Sequence, residues 1–162
     1  MHLVQLNIAE AQYDMESREM NGFTSRIDAI NAIADRAEGF VWRLKDDGKL
    51  DGALSIRHEG FGESVLINMS VWTSIESLFQ FVYKTAHTKV MREERRNFHK
   101  IPKEHMVLWW VDEGHIPTLD EAYHKLEWLR SNGASPQAFS FALPFNEKGQ
   151  PVQTNFPKKD CA

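Results

Sequence analysis

At 162 residues, with 42% apolar and 11% aromatic side chains, the chain has material for one hydrophobic core and no room for a second domain. A formal charge of −4, from 19 basic against 23 acidic residues, gives no field that would gather nucleic acid or anionic lipid, so neither partner is expected. The one cysteine, Cys161, excludes an internal disulfide and a cysteine metal cage; with no basic leader and no stretch near the roughly 20 apolar residues of a membrane span, a cytoplasmic protein is expected.

Residues 2–8 alternate, with Val4, Leu6 and Ile8 on one side and Leu3, Gln5 and Asn7 on the other, which is the period of a strand. Phe23, Ile27, Ile30 and Ala34 recur at helical spacing, and Gly39 stands where a C-terminal cap would fall. Residues 40–44 read as a strand followed by a turn at 46–48. Residues 53–57 and 64–72 read as two more strands, joined as a hairpin by a loop holding Gly60 and Gly62. Thr73 and Glu76 form a capping box ahead of an apolar stripe of Ile75, Leu78, Phe79 and Val82. A second, charged helical piece is expected over 87–99, broken from the first near Thr85 and Ala86 and ended by Pro102. Residues 106–111 make a wholly apolar strand. Thr118 and Glu121 cap a helix whose stripe is Ala122, Tyr123, Leu126 and Leu129, and Gly133 closes it. A last strand is predicted at 139–143, ahead of a polar tail from 146.

This order predicts an α+β domain over 1–145 with a ferredoxin-like antiparallel sheet, helices on one face and one extra helix-strand unit, followed by the tail 146–162. Trp109 and Trp110 are neighbours in a strand and so point to opposite faces. Gln5, Asn7, Asn68 and Ser70 alternate with apolar residues and are expected to share, with Trp72, the face turned away from the helices. A second copy of the sheet would close that face into a lumen for a small hydrophobic or aromatic ligand, in a homodimer. A half-solvated antiparallel sheet is the alternative.

Several strings carry a resemblance: Asn68 through Ser70, Val71 and Trp72; Phe81, Val82, Tyr83 and His87; Leu108 to Val111 with Gly114, His115 and Pro117; and the closing Phe139, Ser140 and Phe141. Together they resemble the bacterial domain-of-unknown-function family numbered 3291, with Asn97 standing where the first of an aromatic pair is expected. That family is similar in fold to the antibiotic-biosynthesis monooxygenases. The resemblance implies a dimeric α+β barrel and leaves the reaction open, since a fold does not set a function.

Tyr83 and His87 are one helical turn apart, a spacing at which they can act as acid and base in an unbroken helix; capping of a helix end is the other role for His87. His115 lies on a loop after a central strand, a place for a catalytic group or a loop-fixing hydrogen bond. Arg92, Arg95 and Arg96 form a basic stripe in which Arg92 is a candidate anion contact, although a solvated, salt-bridged surface has the same pattern. His87 and His99 are about a third of a turn out of phase on an ideal helix, so no metal site is expected. A single axial His would suffice for haem, so that cofactor is left open. The site expected from sequence therefore has Tyr83, His87 and His115 as polar groups, Asn68, Ser70, Trp72, Trp109 and Trp110 as walls, and Arg92 at an anion. The function expected is small-molecule binding with monooxygenase-like chemistry, beside two alternatives: a non-catalytic interaction or ligand-sensing module, and a haem protein.

Overall fold

A computed structural model describes residues 1–45, 52–84 and 86–153 of the chain, with the side chains of 52, 53, 86–88 and 91 outside that description. The turn expected at 46–48, the helix break at Thr85, and Cys161 lie outside the described residues. The elements are β1 (His2–Glu10), α1 (Asn21–Asp35), β2 (Phe40–Arg43), α2 (Gly52–Ser55), β3 (Val65–Trp72), α3 (Ile75–Lys84), α4 (Ala86–Glu94), β4 (Met106–Val111) and α5 (Leu119–Asn132). The four strands form one antiparallel sheet in the order β2-β3-β1-β4, so the α+β class and ferredoxin-like sheet expected from sequence are what the chain forms. No helix among the described residues is long and apolar enough to cross a membrane.

The two strands at the centre are largely buried, with Asn68 the exposed position of β3. Val4, Leu6, Ile67, Met69 and Trp109 face one way and pack with Ala122, Leu126 and Leu129 of α5. Leu3, Trp72, Leu108 and the polar residues between them face the other way, under Ala34 of α1 and Leu78, Phe79 and Val82 of α3. Helices therefore lie over both faces, the extra helix α5 on one and α1 with α3 on the other. Gln5, Asn7, Asn68 and Ser70 do share a face, Gln5 opposite Ser70 and Asn7 opposite Asn68. That face is the one beneath α1 and α3, not one turned away from helices. Alternation fixes which residues stand together, whereas the side a helix takes depends on the path of its connections.

Residues 53–57 do not make a strand. The chain enters the short helix α2 there, and β2 pairs directly with β3, so the expected hairpin through Gly60 and Gly62 is absent. Instead His58 accepts the Gly60 N–H on Nδ1, and its carbonyl accepts from Phe61 and Gly62, which folds 58–62 into a turn whose aromatic Phe61 lies edge-on to Tyr123 of α5. The predicted last strand shrinks to one position. Phe139 exchanges both backbone hydrogen bonds with Leu108, at 2.7 and 2.9 Å, but the Leu143 N–H turns back to the Ser140 carbonyl and Pro144 has no donor to continue a ladder. Phe139 and Phe141 are nonetheless buried in the core. Asn146 then closes a tight turn, its Oδ1 accepting from the Lys148 and Gln150 N–H groups.

Two helix ends differ from the predicted ones. Ser74, not Thr73, caps α3, its Oγ accepting the Ser77 N–H at 3.1 Å, because the Thr73 N–H is held by the Gly39 carbonyl. The charged helix stops at Glu94 and passes through a 3-10 turn, Arg95–Asn97, rather than running to His99. The competing interaction is a strand-like one: His99 donates to the Glu10 carbonyl and Gln12 to that of Asn97, tying this segment to the end of β1. At α5 the expectation holds, with Thr118 accepting from Glu121 and Gly133 at positive φ closing the helix.

Candidate ligand cavity

Between the polar-striped face of the sheet and helices α1, α3 and α4 lies a cavity of about 110 Å³. Its floor comes from the alternating residues of β1 and β3, Gln5, Asn7, Asn68 and Ser70, and its roof from the apolar stripe of α1, Phe23, Ile27, Ile30 and Ala34. Phe81 and Val82 of α3, Val90 of α4 and the edge-to-face pair Phe23 and Phe98, 5.1 Å apart, complete the apolar part. The helix stripe that the 3.6-residue period predicts would ordinarily fill such a space. Here it faces three amides and a hydroxyl instead of apolar residues, and the two surfaces do not close on each other.

The floor is wired in one direction. Trp72 donates its indole N–H to Ser70 Oγ at 2.9 Å, and Ser70 donates in turn to Gln5 Oε1 at 3.0 Å. Trp72 itself is fully buried, stacked on Phe81 at 5.2 Å and edge-on to Phe40. Across the sheet from Asn68 stands Asn7, whose Oδ1 is buried with no hydrogen-bond partner. An orphaned buried acceptor costs roughly 1–3 kcal/mol and calls for an explanation.

Helix α4 is strapped onto α1 beside this space. The Glu94 carboxylate is buried over Gly22, where a Cβ would approach its Oε1 to 2.6 Å, so a larger residue there would displace the carboxylate. Asn97 Nδ2 donates both to Glu94 Oε2 and to the Glu19 carbonyl. Arg26 of α1, which also lines the cavity, donates to Glu93 Oε2 at 2.6 Å. That hydrogen bond, with the Coulombic pull of Arg26, Lys89 and Arg92, holds the Glu93 carboxyl below its ordinary value despite some desolvation. A depressed folded value means that the stabilisation is present above the unfolded value and is lost as pH falls through the folded one, in the window below about 4.5. The pair is on the surface, so the effect on stability is small and salt-sensitive. Arg26→Met is expected to raise the Glu93 midpoint in a carboxyl NMR titration; an unmoved midpoint would mean that the ion pair does not persist in solution.

Of the residues singled out from sequence, Asn68, Ser70 and Trp72 meet in this cavity. Trp109 lies on the opposite face, where its indole N–H donates to Glu121 Oε1 at 2.7 Å, and Glu121 Oε2 is 2.7 Å from His115 Nε2. His115 and Trp109 thus share one carboxylate at the start of α5, away from the cavity. Trp110 is on the cavity's face but beyond it, donating to the Phe145 carbonyl. Tyr83 packs among Phe79 and Phe141 at 4.5 and 5.7 Å. It lies in the last turn of α3 and His87 in α4; Thr85 between the two helices and the His87 side chain are outside the described residues. Arg92 is exposed and does not line the cavity. Among the described residues no group of three His, Cys, Asp or Glu side chains is placed to hold a metal. Sequence reading missed Arg26, Asn31 and Arg43 as lining residues. Arg26 sits three residues after Phe23 and one before Ile27, so its place beside the apolar stripe was readable, but nothing in the pattern said that the stripe borders a space.

Fold and site define a class: an α+β protein with one four-stranded antiparallel sheet, covered on both faces, that keeps an amide-floored cavity under one helical layer. The chain belongs to the family described as Domain of unknown function (DUF3291), whose model matches residues 2–155. No curated protein matches it.

Proposed function

We propose that this protein binds a small, largely apolar molecule in the cavity between the sheet and α1, and that binding, not turnover, is the role of the site. The observation that carries this reading is the row of amides on the cavity floor, with Asn7 Oδ1 left unsatisfied, set against a wall that is apolar apart from Arg26, Asn31 and Arg43. Drug-sized ligands occupy pockets of about 300–1,000 Å³, so about 110 Å³ calls for something nearer one ring, as does the ~150 Å³ cavity known to admit benzene. A haem is too large for this space. The monooxygenase-like chemistry and paired subunits implied by the family resemblance are left out of this reading for two reasons. The described side chains lining the cavity include no histidine, carboxylate or tyrosine to move a proton. Part of the face that a second subunit was to shield lies under α1 and α3, with Asn68 left exposed.

Titrating the full chain with single-ring probes, benzyl alcohol and benzoate, tests the proposal. Trp72 in the wall should report occupancy as a change in emission, with Kd in about the micromolar to millimolar range. Trp72→Phe should lose that signal and keep the binding heat in calorimetry. No heat and no emission change with either probe would overturn the reading. Asn7→Leu supplies an independent check, because a residue kept for a ligand weakens the empty fold. This substitution should raise the unfolding free energy by about 1 kcal/mol in urea denaturation while weakening probe binding. A loss of stability would show that the amide is needed by the fold itself.

A further inference from the structure

The hydrogen-bond polarity of the floor assigns the chemical class of the ligand, given that the cavity is a ligand site. An indole N–H can only donate, so in its contact with Trp72 the Ser70 hydroxyl must accept, and its own proton goes to Gln5. Gln5 thus presents Oε1 to Ser70. What Gln5 has left is its NH2, which finds no partner among the described residues, in a side chain that lines the cavity. Asn7 Oδ1 is buried without a partner, and no hydrogen bond among the described residues fixes which end of that amide faces the cavity. Asn31 and Asn68 can turn either end inward and do not decide the matter.

The charged residues agree with that polarity. Among the described residues, two arginines and no acid line the cavity. Their counter-ions, Glu93 and Glu94 at Arg26 and Asp35 at Arg43, stand outside the lining. The guanidiniums therefore act as oriented donors and not as two bare charges. A donor-lined apolar space without an acid rejects ammonium groups, which would leave the Gln5 NH2 facing another donor. We infer that the cavity takes a small carboxylate on an apolar body, with Gln5 Nε2 as the group that recognises the carboxylate oxygen.

Four single-ring probes of similar size, benzoate, benzamide, toluene and benzylammonium, distinguish this inference from the reading beneath it. Calorimetry on the full chain should show benzoate binding at least about tenfold more tightly than benzylammonium, with benzamide between them. Gln5→Glu replaces the inward donor by an acceptor and should remove or reverse that order. Gln5→Leu, which demands no hydrogen bond from the fold, should bring benzoate down to the level of toluene and serves if the first variant does not fold. Equal affinity for benzoate, toluene and benzylammonium would overturn the acceptor inference and leave the cavity as a ligand site. Binding of none of the four would overturn both.

Discussion

Trp109→Ala is expected to lower the unfolding free energy by about 3–5 kcal/mol, the range for removing a large buried aromatic from a core. Trp109 is 1% exposed and stands in β4 at the centre of the apolar face, against Ala122, Leu126 and Leu129 of α5. Its removal opens a void there and takes away the indole donor that holds Glu121. The carboxylate would keep His115, so the first turn of α5 loses one of its two side-chain anchors at that position. Trp109→Phe retains most of the ring and should cost less, about 1–2 kcal/mol, from the lost hydrogen bond and the smaller volume. Urea denaturation of both variants measures the difference. For a domain at the low end of the typical range of about 5–15 kcal/mol, the alanine variant would keep little stability. A loss under about 1 kcal/mol would show that α5 can repack over the sheet without this ring.

Gly39→Ala should be nearly as damaging, although it adds a single methyl group. Gly39 has φ of +78°, where a side chain costs about 1–2 kcal/mol through its clash with the backbone. The new Cβ would also run into the side chains of Ser77 and Thr73, at the start of α3. This position joins four elements. The chain leaves α1 and enters β2 here, and the Gly39 carbonyl accepts the Thr73 N–H at 2.8 Å, setting where β3 ends and α3 begins. Strain and overpacking together are expected to lower the unfolding free energy by about 2–4 kcal/mol. The cavity should be disturbed as well, because Phe40 and Trp72 in its wall flank the two bonded residues. Thermal or urea unfolding reads the first effect and probe titration the second. A variant with wild-type stability would mean that the turn accepts a different backbone path.

Reading the residues alone located the elements with strong periodicity and the faces they share. The alternation of β1 and β3 put Gln5, Asn7, Asn68 and Ser70 on one surface, since successive side chains in a strand point oppositely wherever the strand lies. The apolar stripes of α1, α3 and α5 and the Thr118 cap were legible for the same reason: they depend on spacing within one element. Short segments were misread where a distant partner outweighed local pattern. Residues 53–57 had no strand to pair with once β2 took the edge of β3, and 95–99 gave up helix for hydrogen bonds to the end of β1. The cavity itself was invisible in one dimension. Its existence depends on which face α1 and α3 settle on, and sequence spacing carries no information about that choice. The tertiary structure alone set the apolar helical stripe opposite a row of amides, and that mismatch of polarity across a gap is what makes a site of residues that would otherwise be a core.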